Sequence, residues 1–194
     1  MMTPEEIKKI EDARSAENAA LKGFIDNAKG KGVNNAIVRF LEAYNRFGDL
    51  DKSPIELFER VSEEQIALFE KEFNIALPAA YREFLKFSNG MGPGEACVNI
   101  CGIGANQFCL DLYDLNSQEY RKYFESFPEN FLIIGEQNTG DLICADLKTQ
   151  EIHFWELDTG EPELIGNDFF DYLENSIVDF LEWKEKRNGE NLKN

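Results

Sequence analysis

Histidine is nearly absent from this chain: there is a single one, His153, in 194 residues. Histidine catalysis needs an orienting acid and a nucleophile or water within reach, and no pattern near His153 supplies them. Set between Ile152 and Phe154, it reads as a half-buried strand residue. Long apolar runs are missing too. Stretches such as Phe131 to Ile134 fall far short of the roughly 20 residues that a membrane span needs. Met1 to Glu6 lacks the apolar segment after a basic start that marks a secretory leader, so the expected setting is cytoplasmic. Basic residues are scarce: 20 Lys and Arg stand against 37 Asp and Glu, for a net charge of −17. That field repels phosphate backbones and anionic lipids, which excludes nucleic acid and membrane surfaces as natural partners.

Cofactor and metal patterns are also lacking. The four cysteines, Cys97, Cys101, Cys109 and Cys144, could form two disulfides or one zinc site, but their spacing fits neither. Cys109 and Cys144 lie among Phe108, Leu110, Leu142 and Ile143, where a reduced thiol packs as a small apolar group. Gly90, Gly92, Gly94, Gly102 and Gly104 follow a helix rather than a strand and lead to no Gly-Lys-Ser/Thr. They therefore read as turns, not as a phosphate loop. The carboxylate pairs Asp111 with Asp114 and Glu161 with Glu163 are what a chain this acidic contains by chance. They match neither a glycosidase arrangement nor a calcium loop. No cofactor and no metal are expected.

What the chain does have is enough apolar mass for a core. Leu, Ile, Val and Phe together number 54 of 194 residues, above the floor of about 20% below which chains stay disordered. Charge is unevenly placed. Residues 1–60 hold 11 acids and 10 bases, whereas residues 61–194 hold 26 acids and 10 bases. The two segments carry −1 and −16, which suggests two units, the second suited to a basic partner.

The first unit reads as helical. Thr3, Pro4 and Glu6 make a helix start, Gly30 to Gly32 a break, and Ile37, Phe40, Leu41, Tyr44 and Phe47 a second helix that Gly48 can end, with a short turn after Pro54. In the second unit, Ser62 and Gln65 form a capping box, with Val61 and Ile66 as hydrophobic staple. Ile66, Phe69 and Phe73 line that helix. Pro78 opens another with Tyr81, Phe84 and Leu85 on its buried side, and Asn89-Gly90 tolerate the positive φ of its end. The period then becomes strand-like, at Cys97 to Ile103 and Gln107 to Tyr113, and after a short helix over Glu119 to Phe127 it continues at Phe131 to Gly135, Asp141 to Leu147 and Glu151 to Leu157. A further strand, Pro162 to Ile165, precedes a helix capped by Asn167 or Asp168. The expected class is α+β: an antiparallel meander packed with helices, residues 61–194, preceded by a helical extension, residues 1–60.

The run Val61 to Gly90, with Leu77-Pro78, Tyr81, Phe84-Leu85 and Asn89-Gly90, resembles the first helices of the SUKH superfamily, also called the Smi/Knr family. The resemblance continues through Phe131 to Gly135, Gly140-Asp141, Ile152 to Trp155 and Phe169-x-x-Tyr172-Leu173. Met91 stands where many members have a second glycine, and residues 1–60 match nothing in that pattern. The resemblance implies function by binding rather than catalysis. Bacterial members neutralise polymorphic or contact-dependent toxins, often nucleases, and fungal members are regulatory adaptors of cell-wall glucan synthesis. The leading expectation is an immunity protein that blocks a basic toxin domain. A regulatory adaptor is the alternative, and an enzyme acting on a small metabolite a third. Candidate contacts are Asp111, Asp114, Glu136, Asp141, Glu156, Asp158, Glu161 and Glu163, with Tyr113 and Trp155 as aromatic anchors if exposed.

Overall fold

The computed structural model describes residues 3, 8–9, 22–23, 25–26, 28–30, 32–47, 57–92, 98–104, 110–124, 126–137, 139–176 and 178–179. The expected helix start at Thr3 to Glu6, the stop at Gly48, the turn after Pro54, and both Cys97 and Cys109 fall wholly or partly outside them. The break before the second helix is present. Gly32 takes φ +69, and the N–H of Val33 donates back to the Ala28 carbonyl at 3.2 Å. The Asn34 side chain then accepts from the Ala36 N–H at 2.9 Å and starts α1, Asn35–Phe47. Its Ile37, Phe40 and Leu41 are buried in the same apolar cluster as the helices and sheet that follow.

Helix α2, Glu63–Phe73, begins with the expected capping box. Gln65 N–H donates to the Ser62 hydroxyl at 3.3 Å, and Ser62 N–H donates to the side-chain Oε1 of Gln65 at 3.0 Å. Val61 and Ile66 are both buried, as a staple requires. Ile66 and Phe69 are fully buried, each such burial contributing about 1.5–3 kcal/mol. Asn74, at φ 52, ends the helix in the left-handed region. Helix α3 is Ala79–Phe87, entered from Pro78, with Tyr81, Phe84 and Leu85 buried. Ion pairs of Glu63 with Arg82 and Lys86 join α2 to α3.

The sheet is a five-stranded antiparallel meander in the order β1 Val98–Ile100, β2 Phe131–Gln137, β3 Leu142–Asp146, β4 Ile152–Trp155 and β5 Pro162–Gly166. Because side chains alternate along a strand, the register sorts the two faces. One carries Phe131, Ile133, Leu142, Cys144, His153 and Trp155, and the other Leu132, Ile143, Ala145, Ile152 and Phe154. The second face meets the last helix, α6, over 169–176. A Cβ on Gly166, opposite Ile152, would lie 2.7 Å from the Tyr172 nitrogen. Phe169 of α6 in turn packs on Tyr81 and Phe84 of α3, with ring centroids 5.2 and 5.1 Å apart. Asp168 is the cap of α6, accepting from Phe170 and Asp171 N–H at 2.8 and 2.9 Å.

One expected strand is not formed as read. In place of the end of a Gln107 to Tyr113 strand, Leu112–Leu115 is a helical turn, α4. The Asp111 carboxylate accepts from the Tyr113 N–H at 2.9 Å, which turns the chain, and Leu112 and Leu115, three apart, are the buried pair. Helix α5, Gln118–Arg121, follows with Ser117 as its cap. The segment after it covers the first face of the sheet, where Phe127 packs edge-on against Phe131 and Trp155 at 6.2 and 5.1 Å.

Candidate protein-binding surface

Two hairpin turns lie side by side at one end of the meander. In the β2–β3 turn, Gln137 N–H donates to the Asp141 carbonyl at 2.9 Å, Gly140 takes φ +94, and the Thr139 hydroxyl donates to the Asp141 carboxylate at 2.8 Å. In the β4–β5 turn, Gly160 N–H donates to the Glu156 carbonyl at 2.8 Å, and the Thr159 hydroxyl donates to the Glu156 carboxylate at 3.1 Å. Asp141 ties the two turns together, its other carboxylate oxygen accepting from the Leu157 N–H at 3.2 Å.

This geometry gathers five of the expected contacts at one end of the sheet. Glu156, Asp158, Glu161 and Glu163 are exposed, and Asp141 is half-buried between the turns. Among the described residues none of the five has an ion-pair partner. Their charge therefore faces solvent unneutralised. Glu136 borders the group on β2, opposite Leu142, which is opposite Trp155 on β4. It is half-buried, and burial raises its carboxyl above the usual range.

The remaining expected contacts lie elsewhere. Asp111 is the cap of α4. Tyr113 is half-buried against Phe69 and Phe73 of α2 at 5.0 and 5.7 Å, and its hydroxyl is raised by burial. Asp114 is exposed on α4, its carbonyl accepting from the Ser117 hydroxyl. Trp155 is 3% exposed and serves the core. His153 sits where the sequence placed it, on a strand and half-buried. It stacks on Phe131 at 5.0 Å, with its Nε2 3.8 Å from the Glu151 carboxylate.

Cys101 and Cys144 are free and buried, and burial pushes the Cys144 thiol well above its ordinary value. Among the described residues no group of His, Cys, Asp and Glu is placed to hold a metal ion. No helix there is long and apolar enough to cross a membrane.

One surface aromatic was not read from the sequence. Tyr123 is 81% exposed, more than any other large apolar or aromatic residue among those described. Its ring stands 6.4 Å from that of Tyr120, which in turn stands 5.3 Å from Phe124. Burial, with Glu136 close by, raises the Tyr120 hydroxyl. The expected helix over Glu119 to Phe127 is shorter than read: α5 ends at Arg121, and Tyr123 lies in the turn that follows it.

A helix-flanked five-stranded antiparallel meander defines the class, a small α+β domain. A sequence model of the SMI1 / KNR4 family (SUKH-1) matches residues 60–175, and the chain belongs to that family. Domains of this family act as protein-binding modules, and the family includes both immunity proteins and Knr-type regulators. No curated protein matches the chain significantly.

Proposed function

We propose that this protein is a cytoplasmic, non-enzymatic immunity protein that binds a basic toxin domain and occludes it. The observation that carries the reading is the acidic end of the meander, where Asp141, Glu156, Asp158, Glu161 and Glu163 converge on two turns held by their own hydrogen bonds. A toxin that grips nucleic acid must present a cationic surface, and a fixed anionic one competes for it. The hydrogen bonds within the turns matter because a pre-ordered surface loses less entropy on binding.

The alternative reading, a regulatory adaptor, docks a second protein on the N-terminal helices. Ile37, Phe40 and Leu41 of α1 are buried in the main core, which leaves that apolar face of α1 unavailable to a second protein.

A pull-down from the native host, followed by association kinetics with the captured partner at several salt concentrations, tests the proposal. Association slows as salt rises, because the Debye length shrinks from roughly 10 Å at 0.1 M to about 3 Å at 1 M, while dissociation changes much less. Replacing Asp158, Glu161 and Glu163 together by Asn and Gln lowers the association rate about tenfold or more at low salt. A partner that is itself acidic, or an association rate indifferent to salt, overturns the reading.

A further inference from the structure

We infer that the outer edge of β5 receives an extended basic segment of the partner as a further, antiparallel strand, its apolar residues opposite Pro162 and Leu164 alternating with Lys or Arg opposite Glu161 and Glu163. The inference rests on the reading of the chain as a binder of a basic protein, and it names the backbone on which that protein lies.

The two edges of the sheet differ. Beyond β1, Met91 and Ile100 exchange both backbone bonds at 2.9 Å, and Met91 bridges in turn to Leu57, so that edge is closed. Strand β5 is last in the order and pairs with β4 alone. Hydrogen-bonded and non-bonded pairs alternate along an antiparallel ladder. The Glu156 N–H donates to the Glu161 carbonyl at 3.3 Å, which makes Phe154 with Glu163 the next bonded pair and leaves Trp155 with Pro162 and His153 with Leu164 in the other class. The N–H and carbonyl of Leu164 and the carbonyl of Pro162 therefore point away from β4, and nothing among the described residues bonds to them. One residue on, the edge closes again, where the Ile165 carbonyl accepts from the Asn175 side chain of α6 at 3.0 Å.

The side chains along this edge decide its occupant. Leu164 is 53% exposed, and Glu161 and Glu163 are exposed without an ion-pair partner among the described residues. Alternation sends the two glutamates to one face of the edge and Pro162 and Leu164 to the other. A residue laid opposite Leu164 exchanges two backbone bonds with it, and the residue opposite Pro162 donates its N–H to that carbonyl. Side chains opposite Glu163 and Glu161 then stand at cross-strand distance from the carboxylates, where an opposite charge is favourable and a like charge is not. A second copy of this chain would bring four glutamates to one seam and meet a proline with no N–H to give. The devices that keep edges from pairing with themselves thus leave this one open to a basic strand. Strand addition draws affinity from main-chain bonds and specificity from the alternate side chains.

The test is an NMR titration of the full-length labelled chain with a capped hexapeptide of alternating valine and lysine, at constant ionic strength. Binding is expected to saturate, and hydrogen exchange at the Leu164 amide to slow by roughly tenfold or more. Methylating the valine backbone nitrogens, which face β5, weakens binding roughly tenfold, whereas methylating the lysine nitrogens, which face away, changes it by less than about threefold. An association held by charge alone responds alike to both. Replacing Glu161 and Glu163 together by Gln weakens the parent peptide roughly three- to tenfold. Equal effects of the two methylated peptides, or shifts in the acidic turns without slowed exchange at Leu164, overturn the inference. So does protection of Leu164 in the chain alone that grows with its concentration, the mark of a second copy on this edge. The immunity reading fails separately, on a captured partner indifferent to salt, with the peptide result intact. A salt-dependent partner that leaves the Leu164 amide exchanging freely overturns the edge alone.

Discussion

Asn116 and Ile133 exchange two hydrogen bonds: the Ile133 N–H donates to Asn116 Oδ1 at 2.8 Å, and Asn116 Nδ2 donates to the Ile133 carbonyl at 2.7 Å. Among the described residues strand β1 pairs with β2 at Gln137, Glu136 and Gly135, and the Cys101 N–H adds a bond to the Ile134 carbonyl at 2.8 Å. Beyond its end the asparagine amide acts as a substitute strand for Ile133, and the Arg121 guanidinium does the same for the Phe131 carbonyl. Asn116 is 4% exposed, so the groups it satisfies have no recourse to water.

Asn116→Ala is therefore expected to cost roughly 2–4 kcal/mol, because it strands a buried donor and a buried acceptor on Ile133 together. Urea unfolding of the two proteins measures it. A loss below about 0.5 kcal/mol would show that the ladder closes without the side chain.

Asn89 repeats the device, with Ile103 N–H donating to its Oδ1 at 2.7 Å and its Nδ2 donating to the Ile103 carbonyl at 3.0 Å. The approach is possible because Gly102 lies against it: a Cβ there would stand 2.4 Å from the Asn89 carbonyl oxygen. Gly102→Ala is expected to destabilise by roughly 2–3 kcal/mol, since backbone rather than a flexible side chain must give way. Thermal melts of the variant check it, and an unchanged midpoint would refute it.

The raised carboxyl of Glu136 has a definite sign in stability. Between the unfolded value and the higher folded one, the native state binds more protons, so this group's contribution falls as pH rises through that window. Glu136→Gln is thus expected to be more stable than the parent at pH 7 and equal to it below the ordinary glutamate range. Denaturant midpoints from pH 3 to 8 decide the matter, and a constant difference across the range would contradict it.

Residues 61–194 are proposed to fold without the first 60. The capping box at Ser62 is local to the second unit, and the family match begins at residue 60, while the described ties from upstream at the boundary are the Leu57–Met91 bridge and the hydrogen bonds between Phe58 and Ser88. Loss of Ile37 and Leu41 from the shared apolar cluster is expected to lower stability without abolishing cooperative unfolding. A broad, non-cooperative melt of the 61–194 fragment would make α1 part of the minimal fold.

The local features were legible because their causes are local. Ser62 with Gln65 and Val61 with Ile66 lie within a few residues of each other, and the start at Pro78 is set by the proline itself, so spacing and residue type specify them. The meander followed from alternation between turns. Its central strands β2 and β3 are buried on both faces, so the assignment of side chains to one face or the other comes from the antiparallel register and not from alternating burial. The stretch to Tyr113 was misread because an apolar alternation and a capped helical turn share the same few residues, and the Asp111 carboxylate settles the choice.

Tertiary structure decided the rest. Asn89, read as a helix terminator, is a partner for Ile103 fourteen positions on, and only Gly90 of that pair has positive φ, at 88°. Asp141, Glu156 and Glu161 were visible as acids, but only the antiparallel register brings their two turns to one end of the sheet, where Asp141 bonds Leu157. Trp155 and Tyr123 show the limit most plainly. Each is an aromatic residue flanked by one phenylalanine and one charged residue, and Phe127 covers the first while nothing described covers the second. A sequence fixes which side chains are apolar and how they repeat along an element; which of them meets water depends on the residues that the fold brings over it.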